Sequence, residues 1–523
     1  MTTPIVWSIA GTDSGGGAGL SADQRACDAF GVHLCPVVAA VTAQHSTAVR
    51  HVEPMPAALI EAQLRALAED MPPRAIKTGL LGGAAQIAVV ARWVDRLRQE
   101  GDVALVVDPV LASSAGARFA DGEALAAYRA ELLPRATVIT PNRGEAHRLL
   151  DEAASHEAAA LPSLARRLLG SGAQAVCITG GDSATAEGRV LDWLACEHAR
   201  GWLASPRVET SHRHGTGCTF ASSIAAALAL GFVAADAAVL AKMATTRALR
   251  AGQAAGKGAG PVRADSGFID PSLLPLMSWG ESPLFAAPRD RAQRRLDLYG
   301  IVDSADRVVQ LLEAGVRTVQ LRMKTLERAR EDWPAFLRDS VRRSMSACRA
   351  AGAELFINDH WRIALELGAP GVHLGQEDLL ALGDCDRADF IACGLSVGIS
   401  SHSLWELCRA RGTSPRYIAC GPVWPTLTKA MPWRPQGLRN LSWWQHMAGV
   451  PVVAIGGILE AAQVQAAAAC GVDGVCVVRA LEHDLRRSVL ALKHAFDVGR
   501  AGFTDAATRG LPVPSLAQIA SIR

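Results

Sequence analysis

The sequence is poor in the features that mark nucleic-acid and membrane proteins. Aromatic residues make up only 5% of its 523 positions, too few for a base-stacking platform. Lys plus Arg (53) nearly cancels Asp plus Glu (51), so no single-sign field recruits nucleic acid or an anionic bilayer. No C-x-x-C occurs among the twelve scattered cysteines, and most sit in apolar runs where Cys behaves as a small hydrophobe, as in a reducing cytoplasm. No G-x-x-x-x-G-K-[ST] is present, so the chain is not a P-loop enzyme. The opening MTTPIVWSIAGTD has no basic region before its short apolar stretch and does not read as a secretory signal. A cytoplasmic protein acting on small molecules is expected, without nucleic acid or membrane, and with a homo-oligomer left open.

What is present is a large apolar inventory. Half the residues are hydrophobic, and the length exceeds the roughly 100–200 residues of one ordinary domain. Residues 216–235 (TGCTFASSIAAALALGFVAA) carry no charge and are long enough to suggest a membrane helix. The stretch is mostly Ala with Gly, Thr and Ser, so a buried helix of a large α/β domain is expected instead.

Up to residue 262, short β-branched runs alternate with Ala/Leu helical patterns: VWSIAG, PVVAAVTAQ, RAIKTG, ALVVDP, TVITPN and AVCITGG. Continuous apolar runs of this kind suit parallel strands covered on both faces. Residues 263–295 lose the pattern and read as a linker. From 296 to 498, eight strand-like runs start near 298, 318, 355, 371, 396, 417, 451 and 474, separated by helix-sized segments. Eight β/α units in about 200 residues predict a TIM barrel. Residues 499–523 read as a C-terminal extension without assignment.

The polar residues of the second half fall at predicted strand ends, where a barrel places its active site. Gln320, Arg322 and Lys324 follow the second run; Asn358 and Asp359 end the third; Gln376 and Asp378 follow the fourth. Ser400 ends the fifth, Thr426, Thr428 and Lys429 follow the sixth, and Gly456-Gly457 ends the seventh. Asp359 alone could cap a helix, and His373 could simply pack inside its strand. Together, two carboxylates flanked by Arg and Lys suit Mg²⁺ carrying a diphosphate, and Gly-Gly suits a second phosphate. Joining of a diphosphate donor to a phosphorylated acceptor is the expected chemistry.

VQLRMK, LFINDHWRIAL, GVHLGQEDL, GISSHS, GPVWPTLTKAMPWRPQGL and VAIGGI resemble thiamine phosphate synthase along the whole barrel. The resemblance implies coupling of hydroxymethylpyrimidine diphosphate to hydroxyethylthiazole phosphate. Gln320, Arg322, Lys324, Asn358, Ser400 and Lys429 would hold the pyrimidine diphosphate, and Asp359 and Asp378 the Mg²⁺. Thr426, Thr428, Gly457, Val478 and Arg479 would take the thiazole phosphate, although the family often has Ser where Arg479 stands.

In the first half, SHRHGTGCTFASSIAAALA places a Gly-Thr-Gly turn at the start of a long helix. Several backbone N–H groups and the helix dipole then converge on one spot, an anion hole, with Cys218 in the first turn where a thiolate is favoured. AGTDSGGGAGLSAD, VTAQ, VVDPV, TPNRGEA and HGTGCTFASS resemble hydroxymethylpyrimidine/phosphomethylpyrimidine kinase, of ribokinase-like α/β/α fold. By that resemblance Gly11, Asp23 and Gln44 would surround the pyrimidine. Gly215, Thr216 and Gly217 would hold the phosphoryl group, with Cys218 as base. Asp108, Asn142 and Glu145 would organise Mg²⁺ and the co-substrate ATP. One position departs: I-T-G-G stands where the family has M-K-G-G, which puts Thr179 at a lysine position. A bifunctional thiamine-pathway enzyme is expected. The alternatives are a weakened or pyridoxal-type kinase, and a barrel serving as a thiazole isomerase or non-catalytic regulator.

Overall fold

The computed structural model describes residues 2–516, except 113–118, 154–156, 182–187, 288–294, 325–331, 427–431, 482–484 and 505–509. The described residues form two compact units, one ending at Pro283 and the other spanning Leu284–Leu516.

The first unit is built on a ten-stranded sheet. Its strands are β1 (Ile5–Thr12), β2 (His33–His45), β3 (Ala48–Pro54), β4 (Ala75–Thr78) and β5 (Ala104–Val107). They continue as β6 (Val138–Ile139), β7 (Val176–Ile178), β8 (Arg189–Ala195), β9 (Arg200–Pro206) and β10 (Leu276–Met277). The order is β10-β9-β8-β7-β6-β5-β4-β1-β2-β3. The central strands β7 to β2 pair parallel, and they are the six apolar runs expected from the sequence. The edges are antiparallel: β3 on one side, and β8, β9 and β10 on the other. These edge strands escaped the sequence reading because they mix polar and apolar residues instead of forming continuous apolar runs. Trp193 and Trp202 face each other across β8 and β9, with ring centroids 5.0 Å apart.

The expected linker needs correction over its first part. Phe268, Leu273, Leu274, Met277 and Trp279 are buried, and β10 pairs with β9. Ser278 Oγ accepts the Trp202 amide, and the Trp202 indole donates to the Glu281 carbonyl. Short 3₁₀ turns obscured the pattern in the sequence, because their apolar contacts have no helical or strand period.

The uncharged stretch forms the helix Thr216–Ala229 and the start of a second, Ala234–Arg250, with every residue from Thr219 to Ala229 buried. Among the described residues no helix is long and apolar enough to cross a membrane.

The second unit is a closed barrel of eight parallel strands. They are β11 (Asp297–Val302), β12 (Thr318–Leu321), β13 (Glu354–Asn358), β14 (Gly371–Leu374), β15 (Ser396–Ser401), β16 (Tyr417–Cys420), β17 (Val452–Ala454) and β18 (Gly474–Val477). All eight coincide with expected runs. Side chains alternate between the interior and the helical shell, so residues two apart share a face. Tyr299, Phe356, Tyr417, Ala419, Val453 and Cys476 form the barrel's inner core. Gln320, Asn358, His373 and Ser400 stand on that same inward register of their own strands. The closing helix, Leu485–Ala501, runs past residue 498, and part of the extension packs as well: Ser515 and Leu516 are buried.

Candidate active sites

In the barrel, every described residue expected at the synthase site lines one cavity of about 310 Å³. These are Gln320, Arg322, Lys324, Asn358, Ser400, Thr426, Gly457, Val478, Arg479, Asp359 and Asp378. Thr428 and Lys429 lie outside the described residues. The volume is within the usual range for a small-molecule site. Gln320 and Asn358 are buried in the cavity floor, whereas Lys324 and Asp359 are exposed at its mouth. Asp359 adopts a left-handed backbone (φ 63°), which turns the chain immediately after β13. Asp378, in the first turn of the helix Gln376–Ala381, accepts the Gly375 amide at 2.8 Å.

Gly456 and Gly457 both have positive φ, 91° and 73°. A Cβ on Gly457 would fall 2.6 Å from the Trp424 carbonyl oxygen, so only glycine lets this turn pass the loop after β16. Backbone lining the cavity in this way suits an oxyanion ligand.

Three groups in this cavity were not assigned from sequence. His373 lies buried beneath it, with Nε2 3.0 Å from Ser400 Oγ. His402 stacks on Trp433 and bonds Glu406, and Glu377 joins the carboxylates at the mouth. His373 could have been flagged by its period-two spacing from Gly375 and by the strand-end pattern of its neighbours.

In the first unit, two glycine-rich turns meet. Asp13 accepts the amides of Gly15 (2.9 Å), Gly17 (3.0 Å) and Ala18 (2.8 Å), and a fourth contact, 2.8 Å, is to His214 Nε2. Burial alone would raise the Asp13 pKa, but His214 and the backbone amides outweigh it and hold the carboxyl below its ordinary value. Gln44 Nε2 lies 3.2 Å from the same His214 nitrogen, which places it beside the turn. Gly215 caps the helix Thr216–Ala229 at φ 87°, and a Cβ there would fall 2.2 Å from the Gly17 carbonyl oxygen. Gly11, at a β-bulge in β1, lies against the same loop, with its carbonyl oxygen 2.2 Å from where a Gly19 Cβ would stand. Thr216 is anchored by its hydroxyl to the Arg213 carbonyl, while Gly217 is exposed at the head of the helix. Asp13 and His214 belong to the motifs that carried the resemblance, yet their mutual contact is visible only in three dimensions.

Two expectations need correction. Asp23 does not face a substrate: it is fully buried and accepts from Ser8 (2.7 Å), Lys77 (2.9 Å) and Ser222 (2.7 Å). Cys218 is not poised as a thiolate. Burial, joined by the charges of Asp23 and Asp108, pushes its pKa up to about 12, despite Lys77 and a hydrogen bond from the Gly19 amide. The helix N-terminus is real, but desolvation in this wall outweighs it.

Asp108 is buried just after β5, 3.7 Å from Lys77, and its Oδ2 has no hydrogen-bond partner among the described residues. Burial pushes its pKa up to about 6 against the pull of Lys77. Asn142 and Glu145 form a reciprocal capping box on the helix Arg143–Leu149, each bond 2.9 Å. Burial, with Asp108 adding to it, pushes Glu145 up to about 8. Two buried acids with raised pKa values would fit a cation-bearing phosphate ligand. Thr179 forms a backbone bridge with Asn142, so the departed lysine position adjoins this pair.

Comparison with known proteins gives one family to each unit. Residues 13–263 match the model described as phosphomethylpyrimidine kinase, and residues 298–481 that of thiamine monophosphate synthase. A probable thiamine biosynthetic bifunctional enzyme, chloroplastic, of Oryza sativa is 34% identical over 92% of this chain and 86% of its own. A hydroxymethylpyrimidine/phosphomethylpyrimidine kinase of Synechococcus elongatus is 42% identical over 50% of this chain and 97% of its own. A thiamine-phosphate synthase of Neisseria meningitidis is 46% identical over 36% of this chain and 86% of its own.

Proposed function

The chain belongs to the bifunctional thiamine biosynthetic enzymes, and from that premise we propose how its two sites divide the work. The first unit is a hydroxymethylpyrimidine and phosphomethylpyrimidine kinase using ATP, and the second is a thiamine phosphate synthase. The product of one is the substrate of the other. The pyridoxal-type, isomerase and regulator alternatives gain no support from these relatives. Twelve free thiols suit a reducing compartment, the cytoplasm being the one expected.

In the kinase, the Gly215–Cys218 turn receives the transferring phosphoryl group on backbone amides, while Gly11 and Gln44 border the pyrimidine. Cys218, a neutral thiol, holds the substrate hydroxyl in line; as its oxygen bonds the γ-phosphorus, ADP leaves with the electrons of the broken P–O bond and the hydroxyl proton passes to a phosphoryl oxygen. A loose phosphoryl-transfer transition state needs little base assistance, so positioning suffices. Asp108, Glu145 and Asn142 lie where Mg²⁺–ATP would bind, and the cation would lower both acids' pKa values by its charge. Asp23 acts at one remove, by fixing Lys77 beneath Cys218.

In the synthase, Gln320, Asn358 and Ser400 hold the pyrimidine, and Arg322, Lys324 and Lys429 hold its diphosphate. Thr426, Thr428, Gly457, Val478 and Arg479 hold the thiazole phosphate. Mg²⁺ at Asp359 and Asp378 would neutralise part of the diphosphate charge. Arg322 and Lys429 stabilise the charge that grows as diphosphate leaves. The thiazole nitrogen then bonds to the pyrimidine methylene carbon, and diphosphate departs with the bonding electrons. The observation that carries this reading is the convergence of eleven expected residues from separate strand ends on one cavity.

The test supplies pyrimidine alcohol, thiazole phosphate, ATP and Mg²⁺ and measures thiamine phosphate. Cys218→Ala should abolish product, and added pyrimidine diphosphate should restore it. Asp359→Ala should accumulate pyrimidine diphosphate. Failure of the diphosphate to rescue the first variant, or normal turnover in the second, would overturn this division.

A further inference from the structure

Beneath the synthase cavity, five side chains form one unbroken hydrogen-bonded chain across the barrel. Gln320 Nε2 donates to Tyr299 Oη at 3.0 Å, and Tyr299 Oη lies 2.8 Å from Tyr417 Oη. Tyr417 Oη lies 2.8 Å from His373 Nδ1, and His373 Nε2 lies 3.0 Å from Ser400 Oγ. Both ends, Gln320 and Ser400, line the cavity, while Tyr299 and Tyr417 are fully buried. The fold makes room for this arrangement: a Cβ at Gly398 would stand 2.2 Å from Cζ of Tyr417. Phe356 packs edge-on against Tyr417, at 5.1 Å, and fixes its ring.

His373 is buried and its two ring nitrogens meet the hydroxyls of Tyr417 and Ser400, so its imidazole is held neutral. Burial also keeps both tyrosines protonated. Each interior member therefore has a single hydrogen to give, and the direction of one bond sets all the others. If Gln320 donates inward, each tyrosine donates onward and His373 Nδ1 accepts. Its one proton is then on Nε2, directed at Ser400 Oγ. The Ser400 hydrogen and the Gln320 carbonyl oxygen are left for the cavity. The reverse direction would aim the Gln320 NH₂ at the cavity that Arg322, just after β12, also lines. The guanidinium favours the carbonyl there, so the first direction prevails.

We propose that this chain is a specificity device: Tyr299, Tyr417 and His373 are positioning residues that lock Gln320 as an acceptor and leave the Ser400 hydrogen free to donate. A cavity so polarised reads a heterocycle edge on which an amino donor adjoins a ring-nitrogen acceptor. It rejects the lactam edge, whose C=O would face the Gln320 carbonyl oxygen and leave that buried acceptor unpaired. The ligand part of the proposal rests on reading this site as the pyrimidine site; the tautomer part does not.

The experiment uses the full chain with ¹⁵N-labelled histidine, the His373 signals being assigned by their loss in His373→Gln. At neutral pH, His373 should be the neutral Nε2–H tautomer, and Tyr417→Phe should shift it toward a mixture. Steady-state assays on Tyr417→Phe should show KM for pyrimidine diphosphate raised about tenfold, the worth of one buried hydrogen bond, with KM for thiazole phosphate unchanged. The same variant should lose most of the parent's discrimination against the 4-oxo analogue of that diphosphate. Combined with Ser400→Ala, Tyr417→Phe should cost little more than Ser400→Ala alone. An Nδ1–H tautomer in the parent protein would overturn the proposal. So would a Tyr417→Phe variant that raises both KM values alike or keeps full discrimination. A parent chain that makes no thiamine phosphate from the two substrates would overturn the site reading instead, and the tautomer result would still decide the direction of the chain.

Discussion

A carboxylate in a motif can serve a ligand or the protein, and burial decides between them. Asp23 sits in a glycine-rich motif that resembles a substrate loop, yet Lys77, Ser8 and Ser222 occupy it completely. Removing one member of such a buried pair leaves an uncompensated charge. Lys77→Met should cost about 3–5 kcal/mol in chemical denaturation, and adding Asp23→Asn should recover part of the loss. Glu145 shows the opposite imbalance. Its carboxyl ordinarily titrates near 4.5 but is raised to about 8 when folded. Between those values the native state keeps a proton that the unfolded state has released, so stability falls as pH rises across the window. Glu145→Gln retains the cap acceptor and cannot ionise. Without nucleotide, it should melt a few degrees above the parent at pH 8, with the gap closing toward pH 5. Identity and spacing mark these residues in the sequence, but their pKa directions depend on neighbours far apart in the chain.

Among the elements, the parallel strands were the most legible, because continuous apolar runs have one simple explanation. The segments read as linker and extension were the least legible, because their contacts are irregular. The last described segment makes specific contacts. The Asn440 amide both donates to the Val513 carbonyl (2.9 Å) and accepts its amide (2.7 Å), and the Arg434 amide bonds the Ser515 carbonyl. Asn440 also donates to Gln436 Oε1 (2.9 Å), and Gln436 Nε2 donates to the His402 carbonyl (2.7 Å). The tail is thus connected, through Asn440 and Gln436, to His402 at the cavity. Ending the chain at residue 509 should raise KM for thiazole phosphate about tenfold while kinase rates stay unchanged, measured with each half-reaction separately. Likewise, a first unit ended at residue 262 lacks the buried Phe268, Leu273, Met277 and Trp279 and uncovers the core surface they pack on. At about 1.5–3 kcal/mol for each buried side chain, it should melt well below one ended at Pro283.

For the whole molecule, each unit has its own core and its own closed or edge-protected sheet. Chains divided between Pro283 and Leu284 should therefore each fold, one phosphorylating the pyrimidine and the other condensing it. Mixed together, they should match the intact chain at saturating intermediate. A much slower mixture would show that the covalent connection contributes more than proximity. By itself, the sequence determined the barrel and the parallel core of the first sheet, and its strand-end motifs carried the resemblance to two thiamine-pathway families. Those depend on periodicity and on residue types at strand ends, which are local properties of the chain. Only the tertiary structure decided that Asp23 is a buried counter-ion, that Cys218 stays a thiol, and that His373 connects two tyrosines to Ser400. Burial, field and hydrogen-bond direction are set by side chains brought together from distant strands, and no local pattern encodes them.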